Sequence, residues 1–480
     1  MSLGKLIEHH PSDRTALVDG ELSLTYGELR DRVAAMRAHL TDRGVGPGDH
    51  IVLLCGNEAH FVTAALGALG VGAVAAPVNP FSPQAEIERK LPSLRPVLAV
   101  VGESAASVTG MEAIAGVPVL DMADVPLGVE DAPPPVEVET ADPAFLLSTS
   151  GVSGVPKVAM LSHDSLAAVQ QVICGDGPES VRSDDVVLAS LPLAHVLGLN
   201  VVLLSSLRAG ATVVFQRRFD ADEALDLMER YGVTMLTGAP PMWKRWAETD
   251  RATEAFAHIR FARSGAASLP NDVHERLVAR YGLDVRQGYG LTETSSAVTT
   301  GRNLRPPKGS VGKPLPGIEF VLVDEEGEPV DDGDVGEIVV RGPGVFLGYL
   351  DDQDATDAIL APDGWLWTGD VGLFDDDGYL HLVDRVKDII IVSGFNVYPA
   401  EVENVLMQHP GVRGAVVVGS DHAETGETVV AHVSGDVRED ELRAFARSQL
   451  GGYKVPTVFH FVDELPVAST GKAIRRELRS

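Results

Sequence analysis

Residues 146–163, LLSTSGVSGVPKVAMLSH, run from an apolar stretch into a loop of serine, threonine and glycine that ends on Lys157. The apolar start is typical of a buried β-strand. Glycines let the backbone turn its N–H groups toward an anion, and hydroxyls and a lysine add donors and charge, so the loop favours phosphate binding. It is not a Walker A loop, because Val158 stands where that loop has the hydroxyl that binds magnesium. Val152 also interrupts the donors, and from these residues alone a phosphate loop and an ordinary strand-end turn are equally open.

Short apolar runs and helical patterns alternate on both sides of this loop, from about residue 50 to residue 290. Such alternation predicts parallel sheets covered by helices, and therefore an α/β fold. The strand candidates are HIVLLC, PVLAVVG, AFLLSTS, DDVVLASLPL, ATVVFQ, TMLTGAP, IRFARSG and LDVRQGYG, and the helix candidates include ADEALDLMERYG and PNDVHERLVARYG.

The pattern changes after residue 300. EFVLVDEEGEPVDDGDVGEIVVRGPG has the acidic, glycine-containing turns of an antiparallel sheet, so a small antiparallel subdomain is expected there. The strand and helix patterns of a smaller α+β unit follow. Its start predicts two domains, residues 1–384 and residues 385–480.

Charge balance and cysteine content exclude several functional classes. The 480 residues include 39 Lys and Arg against 69 Asp and Glu, a formal charge of −30, which argues against a nucleic-acid or anionic-membrane surface. The two cysteines, Cys55 and Cys174, lie in apolar surroundings and indicate neither a disulfide framework nor a cysteine metal site. No apolar run reaches the roughly 18 residues of a membrane span, and the N-terminus lacks a signal-peptide pattern. A cytoplasmic protein without a transmembrane segment is expected.

Several later motifs carry residues that suit a nucleotide. QGYGLTETS, residues 287–295, places a tyrosine between glycines, followed by Thr292 and Glu293. An aromatic face can carry a purine, a threonine can donate to a phosphate oxygen, and a carboxylate can hold a hard cation. Asp370, in WTGDVG, can accept hydrogen bonds from a ribose diol. Alone, each motif has an ordinary alternative: a strand-end turn, a turn aspartate, a charged linker at DRVKD, or a solvated lysine in ASTGK.

Together and in this order, the motifs resemble those of the adenylate-forming superfamily of acyl-CoA synthetases, luciferases and adenylation domains, and most closely those of fatty-acid or aryl acyl-CoA ligases. TSGVSGVPK resembles the family's phosphate loop, SGAAS its SGAAP turn, GYGLTET its adenine motif, TGD its ribose motif, DRVKD its hinge and STGK its catalytic-lysine loop. The resemblance implies a large N-terminal AMP-binding domain and a small mobile C-terminal domain. It also implies ATP, Mg²⁺ and coenzyme A, and a carboxylic acid that is first joined to AMP and then transferred to the thiol.

The resemblance further implies roles for individual residues. Attack of a carboxylate on the α-phosphate brings two anions together, so the site must neutralise charge. Lys472, Thr292 and Mg²⁺ on Glu293 are expected to act at the α-phosphate. The other implied assignments are pyrophosphate binding by Thr149, Ser150, Gly151, Ser153, Gly154 and Lys157, nucleotide contacts by Gly265, Ala266, Tyr289 and Gly290, ribose binding by Asp370 and Arg385, a hinge at Lys387, and a CoA-side hairpin of Ser393, Gly394 and Phe395.

The expected substrate follows from residues that are absent. LPLAHVLGLN resembles a family segment in which His195 gates the acyl pocket, without the Asp of amino-acid-activating relatives, so an amino acid is not expected. Alternatively, His195 is an ordinary core histidine. Gly288 stands where malonate-type relatives carry an Arg, so a second carboxylate would lack its partner. The pocket segments HVLGLNVVLLSS, TGAPPMWKRW and SGAAS are apolar with small residues, which favours a fatty or aryl acid.

Departures from the family pattern leave other functions open. Val152 replaces a hydroxyl expected at the β- and γ-phosphates, Val158 replaces a glycine that eases loop movement, and Ser268 replaces the proline of SGAAP. An active but slow ligase is predicted, because the expected catalytic groups are retained. The alternatives are an enzyme that loads a carrier-protein phosphopantetheine in trans, a non-catalytic protein that binds ATP or acyl-adenylate, and an unrelated nucleotide-binding protein. The sequence leaves the oligomeric state open.

Overall fold

The computed structural model of the chain describes residues 2–82, 84–105, 108, 111–129, 131–149, 157–251, 254–385, 388, 390–392, 395–422, 426–450, 452–466 and 478. The chain folds into two compact units. One comprises residues 1–319 with 341–366, and the other residues 320–340 with 367–480. The domain boundary expected between residues 384 and 385 stays a prediction.

Strands and helices alternate through the first unit, as the sequence pattern predicts. The strands are β1 (Thr15–Asp19), β2 (Leu22–Thr25), β3 (His50–Leu54), β4 (Val74–Pro77), β5 (Leu98–Val101), β6 (Ala113–Ile114), β7 (Val117–Asp121), β8 (Pro143–Thr149), β9 (Lys157–Ser162), β10 (Val186–Ala189), β11 (Thr212–Phe215), β12 (Met235–Gly238), β13 (Phe261–Ser264), β14 (Val285–Gln287), β15 (Thr299–Thr300), β16 (Lys313–Pro314), β17 (Glu319–Val323), β18 (Gly336–Arg341), β19 (Leu366–Phe374), β20 (Leu380–Arg385), β21 (Ile390–Val392), β22 (Phe395–Val397), β23 (Val412–His422), β24 (Gly426–Gly435) and β25 (Val458–Phe461). The α-helices are α1 (Tyr26–Asp42), α2 (Ala59–Gly70), α3 (Gln84–Leu94), α4 (His163–Ile173), α5 (Ser205–Ala209), α6 (Ala221–Tyr231), α7 (Pro240–Glu248), α8 (Asn271–Tyr281), α9 (Gln353–Asp357), α10 (Pro399–Met407) and α11 (Glu439–Gln449).

Two sheets with parallel centres form the first unit. One has the strand order β14-β13-β12-β10-β11-β1-β2, in which the edge pair β1 and β2 is antiparallel. The other has the order β6-β7-β5-β3-β4-β8-β9, with antiparallel pairs at both edges. The prediction of an α/β fold built on parallel sheets is confirmed.

The helices form because an apolar face alternates with polar ends. In α6 the Asp220 side chain accepts from the first N–H groups, Leu225 and Met228 are buried, and Gly232 ends the helix in a left-handed conformation. Helix α2 is apolar almost all round and contacts β3 and β4. Its 12 residues are short, and none of the helices in the described ranges combines the length and apolarity that crossing a bilayer demands.

The second unit contains the sheet β17-β18-β19-β20 and a sheet in which β22, β21, β24 and β23 are neighbours and β25 pairs with β24. Helices α10 and α11 cover the latter, whose core includes Val417, Val429, Leu406 and Leu442. The α+β character predicted for the C-terminal region is therefore present.

Candidate active site

The carboxyl ends of neighbouring parallel strands bring several predicted residues to one edge. Strand β10 leads into the segment of His195, β12 ends at Gly238, β13 ends at Ser264, and β14 leads into Gly288 and Tyr289. Strand β11 lies on one side of β10 and β12 on the other, so the chain reverses its direction of progress across the sheet there. Open α/β sheets bind ligands at such a switch point.

His195 lies in a recess at this edge. Its side chain is accessible to solvent, yet the surrounding protein lowers its pKa by desolvation, and the charge of Lys90 lowers it further. Accessibility together with desolvation is typical of a concave site, whereas a core histidine would be inaccessible. The following segment, Leu197–Leu204, is a π-helix, a form found frequently at functional sites. The imidazole is therefore neutral at pH 7 and accessible to a ligand.

The turn after β13 has room only for glycine. The Gly265 N–H donates to the Gly238 carbonyl at 3.2 Å, and a Cβ on Gly265 would lie 2.9 Å from Cδ2 of Leu197. Ala266 follows with φ of +71°, which is uncommon for a residue with a side chain. Backbone strain of this kind is concentrated at ligand sites. Ala266 is exposed, so its main chain can contact a ligand.

Tyr289 is held by its main chain. Its N–H donates to the Thr299 hydroxyl at 3.1 Å, and its carbonyl accepts from the Val298 N–H at 2.8 Å. The residue is 6% exposed, so a base could meet only a small part of the ring. No side chain fits at Gly290, where a Cβ would lie 2.3 Å from the Ser296 carbonyl oxygen.

Residues 292–296 form a strained turn. One turn of 3-10 helix is followed by Ser295 and Ser296, whose φ values are +53° and +100°. The Thr294 hydroxyl secures the turn by accepting from the Leu291 N–H at 2.8 Å. The two predicted residues inside the turn, Thr292 and Glu293, are half-buried. Strain stored beside functional side chains is a recurrent feature of active sites.

Tyr349 connects two of the predicted residues. Its hydroxyl donates to Oε1 of Glu293 at 2.7 Å, and Nζ of Lys157 lies 4.9 Å from the centre of its ring. Phe346 packs edge-on against the same ring at 5.0 Å. Burial raises the pKa of the Tyr349 hydroxyl, and the charge of Glu293 raises it further, so the hydroxyl stays a protonated donor. Tyr349 thus holds a carboxylate and an ammonium group near each other.

Sequence reasoning missed Tyr349, because its partners are remote along the chain. Backbone bonds from Leu350 N–H to the Val158 carbonyl and from Met160 N–H to the Gly348 carbonyl hold this segment against β9. The one local signal is the glycine before the tyrosine. Gly348 has φ of +120°, and a Cβ there would lie 2.8 Å from Cγ2 of Thr356.

The predicted phosphate loop connects the antiparallel strands β8 and β9. Thr149 is opposite Lys157 in the register, and its hydroxyl donates to the Lys157 carbonyl at 3.4 Å. Val158 is 4% exposed and packs in the core of the sheet that contains β8 and β9. This packing accounts for a valine where the sequence comparison expects a glycine, since a glycine there would leave a cavity. The residues outside the described part of the chain are Ser150, Gly151, Val152, Ser153 and Gly154.

Asp370 lies in the second unit, on β19 opposite Arg385 of β20. It is buried, and its N–H donates to the Thr368 hydroxyl at 3.1 Å. Burial raises the pKa of Glu337, the Gly369 N–H bond opposes that rise, and the charge of Asp370 adds to it. Two neighbouring carboxyl groups make a site that favours hydroxyl donors such as a diol.

Other predicted residues are not described. Lys387, Ser393, Gly394 and Lys472 lie outside the described ranges, as do the side chains of Arg385 and Phe395, whose backbones belong to β20 and β22. The roles assigned to all of these residues stay predictions.

The described residues contain no group of three or more His, Cys, Asp or Glu side chains that could hold a metal ion by themselves. Glu293 is nonetheless a suitable single ligand, because Tyr349 leaves its second carboxylate oxygen available. Mg²⁺ usually binds one or two carboxylates together with substrate phosphates and water. The donor set therefore fits Mg²⁺ that arrives with a nucleotide.

The chain matches two family descriptions, AMP-binding enzyme over residues 5–350 and AMP-binding enzyme C-terminal domain over residues 401–472. It is 37% identical to a feruloyl-CoA synthase of an Amycolatopsis species, across 97% of this chain and 95% of that protein. It is 32% identical to a long-chain-fatty-acid–CoA ligase of Escherichia coli O157:H7, across 98% of this chain and 92% of that protein.

Solved structures agree with these matches. ATP-bound MatB from Rhodopseudomonas palustris is 32% identical and superposes with a TM-score of 0.92, covering 100% of this chain and 98% of that one. The fold class predicted from the sequence is therefore shared with a nucleotide-binding relative.

Proposed function

This chain belongs to the AMP-binding enzyme family, and we infer that it is an ATP-dependent acyl-CoA synthetase. It joins a fatty or aryl carboxylic acid to AMP and then transfers the acyl group to coenzyme A. The arrangement of Glu293, Tyr349 and Lys157 supports this most directly, because it sets a carboxylate for a phosphate-bound cation beside an ammonium group for phosphate. Two relatives aligned along nearly their whole length are named CoA ligases.

In the first step, a carboxylate oxygen of the acid attacks the α-phosphorus of ATP. The bond from that phosphorus to the bridging oxygen breaks, and pyrophosphate leaves. Charge accumulates on the phosphate oxygens, so donors and cations that are already oriented lower the barrier. We assign the α-phosphate to the Thr292 hydroxyl and Lys472, and pyrophosphate to Thr149 and Lys157 with the loop between them. Mg²⁺ on Glu293 would supply further neutralisation of phosphate charge.

In the second step, the thiolate of coenzyme A attacks the acyl carbon, and the bond to AMP breaks. We assign Lys387 as a hinge about which the C-terminal domain moves, withdrawing Lys472 and bringing Ser393–Phe395 toward the thiol. Conformational steps of this kind let one site serve two reactions in turn. Asp370 and Arg385 hold the ribose in this proposal, and Tyr289 the adenine.

The acid is proposed to enter beside His195. A neutral imidazole adds no charge to the entrance, and the π-helix that follows is made largely of Leu and Val. Apolar surroundings favour a fatty or aryl chain. The free thiols of Cys55 and Cys174 are consistent with a cytoplasmic location, which we propose for the enzyme.

ATP–pyrophosphate exchange with acids of graded length, followed by detection of the CoA thioester, tests the function. Aromatic or fatty acids should drive exchange and give acyl-CoA, with AMP and pyrophosphate as the other products. Exchange without any CoA product, but with acyl transfer to a phosphopantetheinylated carrier protein, would favour the carrier-loading alternative. Tight ATP binding without exchange for any acid would favour the non-catalytic alternative.

A further inference from the structure

Arg263 is a buried cation for which the described residues supply no anion. It lies on β13, is 3% exposed, and its Nε atom is buried without a hydrogen bond. Burial lowers its pKa to about 10, so the guanidinium is still charged at neutral pH. Buried charges are normally paired, because an isolated ion in the protein interior is very costly. A ligand that brings an acceptor would remove that cost.

The guanidinium extends to the ligand edge of the sheet. Its Nη2 atom lies 2.7 Å from the place where a Cβ on Gly288 would stand. Gly288 is half-buried, and Tyr289 follows it. Arg263 itself precedes the turn of Gly265, so the guanidinium lies between two segments already placed in the candidate site. Any side chain at position 288 would collide with it.

A neighbouring buried arginine shows the contrast. Arg302 is 6% exposed, donates to the Glu179 carbonyl and lies with its guanidinium 4.1 Å from the centre of the Phe261 ring. Burial lowers the pKa of Arg302 to about 9, and the charge of Arg263 lowers it further. Arg302 therefore has contacts that account for its presence, whereas the structure gives Arg263 none. Two like charges so close together add to the need for an anion.

We propose that Arg263 selects carboxylic acids that carry a second oxygen group, a carboxylate or a phenolic hydroxyl, at the end remote from the reacting carboxylate. The inference rests on the acyl-CoA synthetase function and narrows its substrate class. An oxygen beside Gly288 would accept charge-assisted hydrogen bonds from the guanidinium, which are about twice as strong as neutral ones. The walls of the pocket remain apolar, so the carbon skeleton is still fatty or aryl.

The sequence alone predicts that a second carboxylate would lack a partner, because position 288 is a glycine. That expectation considers only the residue at position 288. The fold brings a guanidinium from β13 to the space that this glycine leaves open. Arg263 is therefore a candidate partner for the second oxygen.

Two sets of skeleton-matched acids test the proposal by ATP–pyrophosphate exchange. The first set is cinnamate, 4-hydroxycinnamate and 4-carboxycinnamate, and the second is hexanoate and adipate. In the wild-type enzyme, an oxygenated acid should exceed its parent in kcat/KM by about tenfold to a hundredfold in the set whose length suits the pocket. Arg263→Met should remove this preference, and Arg263→Lys should retain part of it because a charge remains.

Arg302→Met is the matched control. It also removes a buried guanidinium, but one with its own structural contacts, so it should lower thermal stability and leave the ratio of oxygenated to parent acid unchanged. Should Arg263→Met fail to fold, Gly288→Ala takes its place. The new Cβ would displace Nη2 without removing the charge, so the preference should again fall.

The outcomes separate this inference from the function on which it rests. Activation of both parent acids at least as well as their oxygenated partners, or a wild-type ratio in Arg263→Met, would overturn the role of Arg263 while leaving the ligase function intact. Absence of exchange with every acid would overturn the ligase function and this inference with it.

Discussion

Replacing Tyr349 by phenylalanine removes one oxygen from the candidate site and little else. The phenylalanine ring can still pack against Phe346 and lie under the ammonium group of Lys157, so the apolar contacts remain. The hydrogen bond to Glu293, 2.7 Å long, is lost. Hydrogen bonds to charged groups contribute about 1.5 to 3 kcal/mol.

The expected effect is on adenylation. Without the hydroxyl, Glu293 is free to rotate and must be ordered again when Mg²⁺ and ATP bind. A loss of about 2 kcal/mol corresponds to about a 30-fold fall in kcat/KM for ATP, measured by pyrophosphate exchange over a range of Mg²⁺ concentrations. The melting temperature should change by no more than a few degrees, because the ring stays buried.

Tyr281→Phe is the matched control. The Tyr281 hydroxyl donates to the Trp246 carbonyl at 3.3 Å, away from the strained turn that carries Glu293, so this change should leave exchange unaltered. Exchange in Tyr349→Phe that matches the wild type at every Mg²⁺ concentration would refute the idea that Tyr349 orients Glu293.

Three further predictions address other parts of the chain. Lys472→Ala should slow adenylation by about a hundredfold or more while thioester formation from supplied acyl-adenylate stays largely intact, and equal loss in both half-reactions would indicate a structural lysine instead. Val152→Thr should accelerate adenylation by about tenfold if the loop lacks one phosphate donor, and pyrophosphate release that is unchanged or slower would contradict this. His163 is 2% exposed and its Nδ1 accepts from the Leu3 N–H at 3.1 Å, and burial lowers its pKa from 6.5 to about 4. The unfolded chain therefore takes up a proton at a higher pH than the folded chain, so the free energy of unfolding should fall by about 3 kcal/mol as the pH drops from 7 to 4. Urea unfolding of His163→Gln should show a smaller fall, and an equal fall in both proteins would assign the pH dependence to other groups.

Local patterns were sufficient for the elements of the fold. The alternation of apolar strands with helices such as α6 and α8 predicts parallel sheets, because hydrophobic periodicity along the chain reflects which face each element buries. The ordered motifs were also sufficient to indicate the family. Both signals are written in consecutive residues and need no knowledge of how distant segments meet.

Val158 shows where such patterns fail. Compared with the family motif, it replaces a glycine and suggests an impaired loop, but in the fold it is a core residue beside Leu146. A motif compares residue types at a position, and it contains no information about the space around that position.

The sequence by itself determined the α/β class, the order of the motifs and the kinds of chemical group available. Only the tertiary structure decided that Tyr349 bonds to Glu293 and that Arg263 reaches Gly288. The physical reason is that these pairs depend on strand pairing and on side-chain direction across different elements. Residues far apart in the chain become neighbours only when the sheets form, and the presence or absence of a partner for a buried charge is settled at that point.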